Sequence, residues 1–118
     1  GEDDDKVLKW ALEALRKVLD EAKEKLEKLK KYTDGDGFGE DYRREFFRKW
    51  IAIALEAIGD IFNIMMEALQ KADKHKKLNT HDSQKADEAK EKIKKFADEA
   101  EERAKELAKK GEAWLLKG

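Results

Sequence analysis

The chain has no cysteine and no proline. The first absence excludes disulfides, thiol catalysis and cysteine-ligated metal sites, and it leaves the redox compartment undetermined. The second removes the strongest breaker of helices, so long helices can run without interruption. Charge of one sign is missing as well. The 27 basic and 28 acidic residues leave a net charge of −1 and alternate along the chain, so there is no basic face of the kind a nucleic-acid binder needs. Long apolar runs are also absent: the most apolar stretch, Trp50 to Ile58, is interrupted by Glu56. It is too short to span a bilayer, and no charged-then-apolar leader precedes it. A soluble protein with neither nucleic acid nor membrane as partner is the expectation.

What is present points to helix. Charged residues make up 47% of the 118 positions and hydrophobic ones 40%, with Ala, Leu, Glu and Lys dominant, the residue types that favour helix most. The length fits one domain over residues 1–118. In the first part, Leu8, Leu12, Leu15, Leu19, Ala22, Leu26 and Leu29 recur at alternating spacings of four and three, which draws one seam down a helix over about residues 4–32. Thr33, Asp34, Gly35, Asp36, Gly37, Phe38 and Gly39 then form a loop whose glycines end the helix. Asp41 is placed to cap a second helix, about 41–77, whose only internal breaker is Gly59. Leu78 to Asp82 read as a second loop, and Asp82 or Ser83 as the cap of a third helix, about 83–116. There Ala86, Ala89, Ile93, Phe96, Ala100, Ala104, Leu107, Gly111 and Trp114 repeat the three-four pattern. Short connections make sequential helices antiparallel, so the expected fold is all-α, an up-down-up three-helix bundle.

The second helix carries more apolar surface than such a bundle needs. Phe46, Trp50, Ile53, Ala57, Ile61, Ile64 and Ala68 make one stripe, while Phe47, Ile51, Leu55, Ile58, Phe62, Met65 and Leu69 make another on roughly the opposite side. Only one of them can face the other two helices. The second is left for a partner, either another copy of the chain in a self-associating scaffold or a different protein with a groove for an apolar helix.

Residue identities favour the second choice. From Trp50 to Asn63 the chain reads Trp-Ile-Ala-Ile-Ala-Leu-Glu-Ala-Ile-Gly-Asp-Ile-Phe-Asn, which resembles the BH-3 motif of Bim at Trp50, Ile51, Ala52, Leu55, Ile58, Gly59, Asp60, Phe62 and Asn63. Leu-x-x-x-Gly-Asp alone is a weak signal, but with four apolar anchors and Phe-Asn in register the match is specific. The departures at Ile53, Ala57, Ile61 and Ile64 fall on the inward stripe, where apolar residues suit a motif grafted into a bundle. Ala54 and Glu56 also depart and are expected near the rim. The whole chain is similar to de novo designed three-helix inhibitors of anti-apoptotic Bcl-2 family proteins, and the clean Ala, Leu, Glu and Lys composition of its helices agrees with design.

The resemblance implies that Ile51, Leu55, Ile58 and Phe62 fill four successive pockets in the groove of a Bcl-2 family protein, and that Asp60 pairs with an arginine there. Gly59 would let the partner backbone come close, with a helix kink as its alternative reading, Ala52 would belong to the same contact face, and Asn63 would hydrogen-bond at the groove edge. Phe47, Met65, Met66 and Leu69 could extend the contact. A free monomer would then form a 1:1 complex that blocks pro-apoptotic partners and promotes apoptosis, acting in the cytosol at the mitochondrial outer membrane. Bcl-2 itself is the leading candidate partner, with Mcl-1 and Bcl-xL as alternatives.

Other chemistry has less support. Asp34, Asp36, Gly39 and Glu45 fall at the first, third, sixth and twelfth places of a calcium-binding EF-hand loop, but Phe38 occupies the fifth, where an oxygen ligand belongs. A turn between helices is the better reading. His75 and His81, expected near a helix end and in a loop, have no cysteine to complete a zinc site. No pairing of nucleophile with base and no phosphate-cradling loop can be found, so neither an enzyme nor a cofactor is expected.

Overall fold

The computed structural model describes residues 2–33, 40–74 and 80–117, which form three helices: α1, Glu2–Thr33; α2, Glu40–Asp73; and α3, Thr80–Lys117. No strand occurs among the described residues. The helices pack against one another in all three pairs as a rod of 65 × 17 × 16 Å. Their directions follow from cross-helix contacts. The Lys71 ammonium near the end of α2 sits 3.8 Å from the ring centroid of Trp10 near the start of α1, and Phe46 near the start of α2 stacks on Trp114 near the end of α3. Both pairs make α2 antiparallel to its neighbours, giving the up-down-up bundle.

The helix ends differ modestly from the sequence expectation. α2 begins at Glu40 and α3 at Thr80, so Asp41, Asp82 and Ser83 lie inside helices rather than capping them, and His81 belongs to α3 rather than to a loop. α2 is described to Asp73, and the expected continuation to 77 falls on residues 75–77, which lie outside the described residues. The acidic start of α1 and the basic Lys30 and Lys31 in its last turn complement the helix dipole at both ends. The 34–39 segment, with its calcium-like spacing, and His75 lie outside the described residues.

Three clusters form the core. The first joins Val7, Ala11, Ala68, Ala72 and Ile93; the second Leu15, Ile61, Ala97, Ala100 and Ala104; the third Leu26, Phe46 and Trp50, with Trp114 against them. Alanine is common in the first two because small side chains let helices approach closely, whereas bulky rings fill the third. Leu12, expected in the α1 seam, is 38% exposed. Val7 and Ala11 are buried there instead, since a helix packed against two neighbours buries a face wider than one a/d seam.

The third cluster is locked by a glycine. The Trp50 indole Nε1 donates a hydrogen bond to the Leu107 carbonyl oxygen at 2.7 Å. A Cβ added to Gly111 would lie 2.1 Å from that same nitrogen, so only glycine leaves the slot the indole fills. At the other end of the bundle, the Lys90 Nζ donates to Asp73 at 2.8 Å. That hydrogen bond, aided by the aspartate charge, holds the lysine above its ordinary pKa. No buried side-chain nitrogen or oxygen among the described residues lacks a hydrogen-bond partner.

Candidate partner-binding face of the second helix

An α-helix turns by about 100° per residue, so residues separated by three, four, seven or eight share a face. The inward stripe of α2 follows this rule. Phe46, Trp50, Ala57, Ile61 and Ala68 are buried, and Ile53 and Ile64 are half-buried against the core. Ala54, expected near the rim, is buried too. It lies between Trp50 and Ile61 on the edge that packs toward α3, and the inward face is wider than a single stripe.

The opposite face is open. Leu55 is 61% exposed, Phe62 56%, and Met66 and Phe47 are exposed as well. These four, with Leu12 of α1, are the large exposed hydrophobics among the described residues. Phe47 and Met66 are nineteen positions apart, which at about 1.5 Å per residue gives a strip roughly 28 Å long. Ala52, Gly59 and Asn63 are also exposed beside it.

Not every anchor expected to point outward does so fully. Ile51 is half-buried. Ile58 is half-buried against the second cluster, Met65 touches the first and second, and Leu69 packs on the first. These residues sit along the side of α2 that rolls toward α3. They divide their surface between the bundle and water, so the outward stripe grades into the core at one edge.

Gly59 lies on the open face, and a Cβ built there meets nothing within 4 Å. The fold itself therefore gives no reason for a residue that costs about 1 kcal/mol relative to alanine inside a helix. Helix α2 continues through this position to Asp73. Gly111, by contrast, has its explanation within the bundle.

Asp60 is exposed at the seam with α1, where Val18, Glu21 and Lys25 border the same shallow cleft. Lys25 reaches Glu56 at 3.9 Å across this seam, an exposed pair that adds little stability. Arg44 and Arg48 are exposed as well, and their positions eleven and seven residues before Leu55 put them on its face. A search for apolar stripes alone passes over them, although the same spacing rule finds them once charged residues are included.

No family model matches this chain, and no curated protein sequence matches it. Among the described residues no helix is long and apolar enough to cross a membrane, and no group of His, Cys, Asp and Glu is arranged to hold a metal ion.

Proposed function

We propose that the protein is a designed inhibitor that presents a preformed BH-3-like helix to the hydrophobic groove of an anti-apoptotic Bcl-2 family protein. The observation that carries this reading is the exposure of Leu55 and Phe62 on the same face as an otherwise unexplained Gly59. These are positions at which the sequence resembles Bim. Burial of a leucine or phenylalanine contributes roughly 1.5 to 3 kcal/mol each before the costs of association, so this pair leaves substantial affinity available to a groove. Ile51 and Ile58 supply the flanking anchors with the surface they keep free. Asp60 offers a carboxylate to a groove arginine, a contact that fixes register.

The bundle contributes preorganisation. A free peptide of this sequence must order its backbone when it binds, whereas α1 and α3 hold α2 helical beforehand. Glu21 and Lys25 of α1, beside Asp60, are the first residues outside the motif that a partner would meet. They provide a means to prefer one family member, with Bcl-2 as the leading choice and Mcl-1 and Bcl-xL as alternatives. Competition against a fluorescent Bim peptide tests the proposal. Displacement from at least one anti-apoptotic family member is expected, and failure to displace it from any of them at micromolar protein would overturn the reading. A self-associating scaffold is the second reading, favoured by the same exposed strip, and it predicts a dimer by size-exclusion in the absence of any other protein.

A further inference from the structure

The seam between α1 and α3 holds a half-open hollow of about 330 Å³, away from the open face of α2. Its floor is apolar, made by Leu26, Trp50, Leu107 and Trp114. Its mouth carries Lys23, Lys30 and Lys110 against Glu27, a formal charge of +3 − 1 = +2. Ala113 contributes one methyl to its wall, and Lys23 and Lys110 are exposed at its rim, where long side chains keep their charged ends toward water.

We propose that this hollow is a binding site for small aromatic monoanions, molecules with one or two fused rings bearing a sulfonate or a carboxylate. Size sets the first limit. An engineered apolar cavity of about 150 Å³ holds benzene, so a space of this volume takes a naphthalene-sized body. Chemistry sets the second. The Trp50 indole N–H is already spent on the Leu107 carbonyl, so the floor offers ring surface and aliphatic carbon, which suits a flat apolar body. Charge sets the third. Tryptophan rings attract cations as well as other rings, but the lysines at the mouth repel a cation and favour an anionic group left at the solvent edge. The site is independent of the proposed partner-binding face, which lies on the other side of α2.

The test is a fluorescence titration of the full chain with 8-anilinonaphthalene-1-sulfonate, alone and in a Leu55→Glu/Phe62→Glu background that removes the exposed strip as a competing dye site. One saturable site with Kd on the order of 10–100 μM is expected in both proteins. Lys23 and Lys110 are exposed, so Lys23→Glu/Lys110→Glu changes the mouth from +2 to −2 without touching the core. Dye binding should weaken by at least about tenfold at low salt, with the difference shrinking at high salt. The same variant should bind 1-naphthylmethylammonium better than the sulfonate, reversing the preference of the parent. Circular dichroism checks that each variant remains helical. Absence of a saturable site, loss of binding in the strip variant, or indifference to the charge reversal would each overturn the proposal.

Discussion

Leu55 and Ala57 are two residues apart in α2, yet the larger apolar side chain is in water: Leu55 is 61% exposed and Ala57 3%. The same inversion recurs along the helix, with Phe62 outside and Ala54 and Ala68 inside. A helix selected only for the stability of its own bundle would place its large side chains inward, where burial of each stabilises by roughly 1.5 to 3 kcal/mol. α2 buries alanines along with Phe46, Trp50 and Ile61 on one face and leaves Leu55, Phe62 and Met66 in water on the other. Its two faces meet different surroundings, and substitutions can separate them.

The largest effects should come from a glutamate on either face. Leu55→Glu leaves the charge in water in the free protein, so helicity and melting temperature should hold. In an apolar pocket of a partner the carboxylate would be stripped of water and unpaired, so affinity should fall by at least about 3 kcal/mol. Ala57→Glu places a longer, charged side chain in a packed seam, and stability should drop by about 3 kcal/mol or more. Thermal melts paired with binding isotherms distinguish the two. A bundle weakened by Leu55→Glu but tolerant of Ala57→Glu would mean that the faces have been exchanged.

This division was legible in the sequence because one period of 3.6 residues governs both stripes. Phe46, Trp50, Ala57, Ile61 and Ala68 are where their spacing puts them, and so are Leu55 and Phe62. The edges were not legible. A stripe drawn from spacing has no width, whereas α2 contacts two helices and so buries Ala54 and half of Ile58 and Met65. The exposure of Leu12 and the burial of Val7 and Ala11 in α1 have the same origin. The hollow between α1 and α3 could not be read at all, because it depends on residues from all three helices that no local pattern relates. The proposed BH-3 reading rests on residue identity alone, since the fold by itself leaves the partner class open.

Asp60 tests the register of the open face. Asp60→Ala removes an exposed carboxylate at the α1 seam, so the free protein should keep its stability to within about 0.5 kcal/mol. Affinity should fall by about 2 to 5 kcal/mol where a partner arginine is left buried and unpaired, and by less where water reaches it. Isothermal titration of both proteins against the same partner measures the difference. Equal affinities would mean that α2 sits in the groove in another register.

Gly111 and Gly59 sharpen the comparison because both lie inside helices and only one is needed by the bundle. Gly111→Ala drives a methyl into the Trp50 indole. The ring must shift and strain its hydrogen bond to Leu107, at a cost of about 1 to 3 kcal/mol in stability. An urea melt should show an earlier midpoint, and the fluorescence of Trp50 should change with it. An unchanged midpoint would show that the aromatic cluster can repack around the extra methyl.

Gly59→Ala should produce the smallest change, and one of opposite sign. A Cβ there meets nothing within 4 Å, so the substitution brings no clash, and alanine reduces the entropy that the unfolded chain loses on forming helix. The free protein should gain about 0.5 to 1 kcal/mol, seen as a rise of roughly 2 to 5 °C in melting temperature. Binding should move the other way, since the added methyl would occupy space that a close-approaching partner backbone requires. A variant that is both more stable and equally tight in binding would remove the functional reason for this glycine. Loss of stability would instead require a role for Gly59 within the bundle, contrary to the open space around it.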